Sequence, residues 1–365
     1  MNILIFIIIL LVLVLVHEFG HFFSAKKFGI RVDEFGFGFP PKLFGKKIGE
    51  TEYTFNLFPI GGFVKIFGEN PDDENTNGPD KHRSFVNKPR WQQAIVLFAG
   101  IFMNFLLAWV LFSISLMSGL PTSVSNKPDS FEVTDRHLVI MSVLPDSPAF
   151  KAGIKSGDTI NAVSSSTALL QEINPESFRS FIANSEGTDL KFAIDNGSDA
   201  DNIVIVKPSL NSDTSVYTIG VAMDEIGIAK FGFFGAIWEG FKLTINVIWG
   251  TISGLYHLIA NGIKGTGSFA DVSGPVGLVG IVGDAYKFGF IYLLSFAAII
   301  SINLGVINLV PFPALDGGRL LFLLIEKIKG SRMSTNFANT ANMVGFFILI
   351  GLMILVTYHD IAKMF

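Results

Sequence analysis

From Ile3 to Val16 the chain is apolar without a break, and the apolar character resumes after His17-Glu18-Phe19-Gly20-His21 with Phe22 and Phe23. In hydrocarbon every backbone N–H and C=O must be bonded within the protein, and a single segment achieves this only as a helix. At about 1.5 Å of rise per residue, residues 3–25 are long enough to cross a hydrocarbon core of ~30 Å. On such a helix, positions four apart share a face, so His17 and His21 direct both imidazoles at one point with Glu18 beside them. H-E-x-x-H is the spacing of a zinc site with its own general base. The bland alternative is a fortuitous His pair in helix packing, but ionisable residues at this depth are costly and functional by default.

Half of the 365 residues are hydrophobic, and the mean hydropathy of +0.50 marks an integral membrane protein. A net charge of −4 offers no basic field for nucleic acid, and no nucleic-acid motif is present. Without cysteine there is neither a disulfide nor a thiolate ligand, so a metal must be held by His and carboxylate. The first apolar run is read as a retained helix and not a signal peptide, because no basic n-region precedes it and no small-x-small cleavage site follows. Lys26 and Lys27 mark its far end.

The loop from Phe28 to Trp91 carries Lys42, Lys46, Lys47, Lys65, Lys81, Arg83, Lys88 and Arg90, which makes it cytoplasmic by the positive-inside rule and puts the central domain outside. Residues 52–67 read as a β-hairpin, two aromatic and β-branched runs around Pro59-Ile60-Gly61-Gly62. It is either a small solvated hairpin or an element dipping to membrane depth against the helices. Asn70–Pro79 reads as a polar linker. A second membrane helix is expected over 91–120, with Gly100 and Asn104 on one face, serving either close helix packing or the active site.

From 121 to 226 the composition is that of an acidic soluble α+β domain. Strands are expected at His137–Leu144, Thr159–Val163, Asp189–Asp195, Asn202–Val206 and Tyr217–Ala222, with a helix at Pro175–Ala183. Residues 227–285 are read as one or two amphipathic helices at the outer interface, interrupted by Glu239, Lys242 and His257, followed by a Gly-rich turn at Ser273–Gly277. A third membrane helix over 288–309 runs into Asn308-Leu309-Val310-Pro311-Phe312-Pro313-Ala314-Leu315-Asp316-Gly317-Gly318. Pro311 and Pro313 stop a regular helix near membrane depth. Asp316, just beyond, is the third ligand, or the N-cap of the helix that follows, or both. A fourth membrane helix over 343–357 completes the core, giving a polytopic α-helical membrane protein with about four spans.

Two resemblances follow from these motifs. Ser147-Pro148-Ala149 through Ala152-Gly153-Ile154 to Gly157-Asp158-Thr159-Ile160 resembles the signature of bacterial PDZ domains, which take an extended peptide onto a sheet edge. No G-L-G-F-type carboxylate loop precedes the His137 strand, and a domain that only spaces or gates the membrane core is the alternative. His17–His21 in the first helix, Asn308–Gly318 after the third and a PDZ domain between together resemble the site-2 protease family, and within it the bacterial regulators of sigma-E protease. Those usually carry two tandem PDZ domains, and one is expected here.

The resemblance implies an intramembrane zinc metalloprotease of the inner (plasma) membrane, with the PDZ domain extracytoplasmic and the metal near the cytoplasmic side. It implies that His17, His21 and Asp316 bind one zinc ion, that Glu18 is the catalytic base and that Asn308 contacts substrate backbone. The hairpin around Phe63, Val64 and Lys65 would clamp substrate, and Gly100 and Asn104 fall where the family has a similar motif. The expected partners are the lipid bilayer, proteins with a single transmembrane helix (anti-sigma factors or remnant signal peptides) and an extended peptide on the PDZ domain. Two rival classes are an inactive membrane-anchored PDZ adaptor and a metal-dependent transporter using intramembrane His and Asp as an ion path.

Overall fold

The computed structural model describes residues 2–70, 72–125, 127–128, 130–195, 202–211, 215–265, 274–287 and 289–362; Ser273, and with it part of the expected Gly-rich turn, lies outside them. In chain order the elements are α1 (Asn2–Lys27), β1 (Val32–Ile48), β2 (Thr51–Ile66), α2 (Asp73–Asn77), α3 (Arg90–Ser118), β3 (Leu120–Ser123), β4 (Val133–Val143), α4 (Pro148–Lys151), β5 (Thr159–Ser164), α5 (Pro175–Ala183), β6 (Leu190–Asp195), β7 (Asn202–Val206), β8 (Ser209–Leu210), β9 (Tyr217–Thr218), β10 (Val221–Ala229), α6 (Phe233–Ile263), α7 (Pro275–Lys287), α8 (Phe290–Leu309), α9 (Asp316–Lys329) and α10 (Thr335–Ala362). They form two compact units: Met1–Ser113 with Ile237–Gly283 and Leu294–Phe365, and Ile114–Ala236 with Asp284–Leu293.

In the first unit α1, α3, α8 and α10 are the most apolar helices. Gly20 lets α1 meet α3 closely, since a Cβ there would lie 2.3 Å from the Ala99 carbonyl oxygen. Ala108 and Phe112 of α3 pack on Ala298, Ile302 and Val306 of α8, with Leu243, Val247, Ile248, Ile252 and Leu255 of α6 against them.

Residues 233–263 form one continuous helix, the single-helix form of the one or two expected, and Glu239 and Lys242, one turn apart, pair at 2.6 Å without breaking it. With α6, five described helices are long and apolar enough to cross a membrane, α6 being the least apolar; about four were expected. Residues 73–77, expected in a linker, are helical because Asp72 and Asn75 cap each other reciprocally.

The expected hairpin over 52–67 takes a different form. Its two halves do not pair with each other. Phe35 is paired with both Val64 and Tyr53, Gly36 with Phe63 and Thr54, and Phe37 with Gly62 and Phe55, while Lys42–Ile48 pairs with Thr51–Asn56. The alternation Phe35-Gly36-Phe37-Gly38-Phe39 supplies a strand that fits between the halves: a Cβ on Gly36 would lie 2.3 Å from the Phe63 ring. Residues 62–66 thereby become the edge of a sheet, and no strand among the described residues covers their outer side.

The second unit is built on a six-stranded antiparallel sheet of order β3-β10-β4-β5-β6-β7. Its core joins Leu138, Ile140, Ile160, Leu190 and Phe192 of the sheet to Phe178 and Ile182 of α5. Because β3 pairs only with Ile226–Ala229, the outer edge of Val221–Asp224 has no strand partner among the described residues. That edge borders a cavity of about 440 Å³ against α5, lined by Phe178, Ile182, Tyr217, Ile219 and Val221.

Candidate metal centre

His17 and His21 point from α1 toward Asp316, the first residue of α9. Asp316 Oδ2 lies 3.1 Å from His17 Nε2 and 3.2 Å from His21 Nε2, and the two Nε2 atoms are 3.2 Å apart. Ligands at about 2.0–2.1 Å from a tetrahedral zinc sit about 3.3 Å from one another, so the triangle has the dimensions that such an ion requires. Asp316 Oδ2 is buried with no aligned hydrogen-bond donor among the described residues; a carboxylate oxygen and two imidazole nitrogens converging on one point suit a cation. These three form the one described group of His, Cys, Asp and Glu side chains that could hold a metal.

The alternative role for Asp316 is resolved by where α9 begins. Leu315 is the N-cap and makes no side-chain cap bond, and Asp316 is already helical. Its carboxylate is therefore directed at the histidines and does not close the helix end. The start of α9 sits tightly on the preceding turn, since Cβ atoms on Gly317 and Gly318 would fall 2.3 and 2.2 Å from the Leu309 and Phe312 carbonyl oxygens. Ala314 holds a left-handed φ of 78°, a conformation that costs a non-glycine residue about 1 kcal/mol or more. Its N–H is bonded to Asn342 Oδ1 at 3.1 Å.

Two residues of α3 orient the imidazoles. Val96 O accepts from His21 Nδ1 at 2.8 Å, which leaves Nε2 with its lone pair free. Asn104, fully buried, lies 3.1 Å from His17 Nδ1 through Nδ2, while its Oδ1 is buried without a partner among the described residues. A half-turn of the amide places Oδ1 opposite Nδ1, which then keeps its proton and frees Nε2. Gly100 is the floor beneath the pair, because a Cβ there would lie 2.3 Å from His21 Nε2. Replacing Asn104 with leucine should therefore weaken zinc binding about 10- to 100-fold, with Asn104→Asp retaining most of the affinity, as read by competition with a chelator. Unchanged affinity in the leucine variant would reduce Asn104 to a packing contact.

The triangle opens on a cavity of about 330 Å³ lined by Glu18, Phe63, Val64, Glu69, Asn308 and Arg319 among others. Gly62 brings the sheet edge close to Glu18, since its Cβ would be 3.8 Å from Glu18 Cγ. Of the residues expected to meet substrate, Phe63, Val64 and Asn308 line this cavity. Lys65 does not and is exposed. Pro311 and Pro313 lie outside the lining, with Pro313 packed on Gly345, and Gly100 and Asn104 face the imidazoles. Glu69 and Arg319 were not singled out in the sequence; the Arg following Asp316-Gly317-Gly318 is one turn from Asp316 and was the available signal.

A buried His/His/carboxylate triangle with a glutamate beside it, carried by apolar helices, defines a membrane metallohydrolase. The pattern of Peptidase family M50 matches residues 5–352, and the chain belongs to that family. It is 36% identical over 352 residues to protein CPE1693 of Clostridium perfringens, which carries a zinc metalloprotease name, covering 96% of this chain and 95% of that one. It is 30% identical over 447 aligned positions to the regulator of sigma-W protease RasP of Bacillus subtilis, covering 99% and 98%. The chain is thus an intramembrane zinc metalloprotease, a polytopic helical membrane protein whose cofactor is Zn2+.

Proposed function

We propose that His17, His21 and Asp316 hold the zinc ion, that Glu18 is the general base, and that the enzyme cuts membrane-spanning segments of single-span proteins. The observation carrying this reading is the convergence of His17 Nε2, His21 Nε2 and Asp316 Oδ2 on one buried point at the wall of the cavity that also holds Glu18. Three protein ligands leave a position for water, as in hydrolytic rather than structural sites; when bound, zinc polarises a peptide carbonyl and brings the pKa of water down to about 7. Glu18 takes the water proton and returns it to the departing amine.

A substrate helix has its scissile carbonyl already bonded and shielded, so it must be opened first. The outer edge of residues 62–66 offers replacement backbone bonds by strand addition, and Asn308 offers an amide from the facing wall. In lipid each lost backbone bond would otherwise cost several kcal/mol. In purified enzyme with a single-span substrate, each glycine placed in the substrate helix should raise the rate about fivefold by weakening the helix ~1 kcal/mol. Rates independent of substrate helicity would sink the unwinding step.

The PDZ-like unit supplies a place for an extended peptide along Val221–Asp224, beside α5. Ile219-Gly220 leads into that edge, and Gly220 has a left-handed φ of 77°. We place this unit outside the inner membrane and the basic loops inside, following the lysine and arginine distribution. An anti-sigma factor with a single transmembrane helix is one substrate class we propose, the Bacillus relative being named a regulator of sigma-W protease.

A further inference from the structure

Behind the catalytic cavity lies a second one of about 220 Å³, whose largely apolar lining also carries polar side chains such as Gln93, Glu326 and Asn342. Glu69, Phe85, Leu97 and Arg319 line both cavities and therefore form the wall between them. In that wall Arg319 Nη1 donates to Glu69 Oε1. The pair joins two parts of the chain that carry different jobs. Glu69 follows the sheet edge at 62–66, and Arg319 stands one turn after Asp316 on α9.

We propose that the Glu69–Arg319 ion pair is a latch: closed, it holds the sheet edge against the helix bearing Asp316 and seals the wall; open, it connects the catalytic cavity to the second cavity behind. The backbones on either side are fixed. A Cβ on Gly68 would fall 1.8 Å from Ser84 Oγ, Glu69 N–H is bonded to Ile66 O, and Arg319 N–H to Leu315 O. The freedom lies in two long side chains that are 24% and 27% exposed, so the latch opens by rotamer change and not by hinge motion. The far wall of the second cavity is pinned separately, by Arg332 to Val86 O and Asn87 Oδ1 and by Met333 N–H to Glu326 Oε1, so it stays formed when the latch opens.

The latch builds on the catalytic reading only in naming what it guards, and its test needs neither substrate nor metal. Because the chain has no cysteine, single cysteines report directly on access. Leu304→Cys lines the catalytic cavity alone and Ala338→Cys the second cavity alone. With the full-length protein in proteoliposomes and a charged, membrane-impermeant thiol reagent, the Ala338→Cys site should label at one rate in every background. The Leu304→Cys site should label slowly with the latch intact and about tenfold or more faster with Glu69→Gln or Arg319→Met, the change expected when a charge-assisted bond that limits opening is removed.

The exchange Glu69→Arg with Arg319→Glu should return labelling to the slow rate. Equal rates at Leu304→Cys in all backgrounds, or fast labelling that the exchange does not reverse, would overturn the latch. The same labelling pattern in a Glu18→Gln background supports the latch whether or not that variant loses proteolysis, which tests the catalytic reading alone.

Discussion

Glu18→Gln should abolish cleavage of a single-span substrate while leaving zinc in place. The reasoning is geometric. Glu18 is adjacent in sequence to His17 but is not one of the three converging donors; its side chain lines the open cavity beside the Val64 edge. Glutamine fills the same volume and cannot take a proton, and general acid–base catalysis of this kind contributes about 10²- to 10⁴-fold. Turnover should fall by that factor at unchanged metal content, measured by elemental analysis of the purified protein. Full activity in the variant would move the base elsewhere, and Glu69, the other glutamate lining that cavity, would be the first candidate.

Much of this site is legible in the sequence because its parts are local. The spacing of His17 and His21 fixes a shared helix face whatever the rest of the chain does, and two prolines before Asp316 announce an interruption at membrane depth. What the chain order hides is pairing across distance. Glu52–Phe58 and Phe63–Phe67 look like neighbours in a hairpin, yet each pairs with Glu34–Phe37, whose Gly36 admits the Phe63 ring of the flanking strand. The same holds for Asn104, whose buried amide could have served packing alone until α3 placed it against His17, and for Glu69 and Arg319, far apart in sequence. In the second unit the unpaired sheet edge lies along Val221–Asp224, beside the cavity against α5. Which sheet edge remains open is set by the short reach of β3, a property of register that no single strand reveals.

Removing the carboxylate ligand separates metal binding from helix geometry. Asp316→Ala should lose zinc and proteolysis together, and Asp316→Asn should lose most of both. Neither should change the helix content read by circular dichroism, because Leu315 is the cap of α9 and Asp316 makes no bond that closes that end. An asparagine keeps the size of the side chain but removes the negative charge that balances a divalent cation between two neutral imidazoles. Loss of a mere outer-sphere partner typically costs 10- to 100-fold in metal affinity, so loss of a ligand should exceed that and leave the protein metal-free after ordinary purification. The His17→Ala variant should behave alike, since His17 Nε2, His21 Nε2 and Asp316 Oδ2 form one triangle of nearly equal sides. If Asp316→Ala retained stoichiometric zinc, the three atoms would be a hydrogen-bonded cluster and not a ligand set, and the catalytic assignment of Glu18 would fall with it.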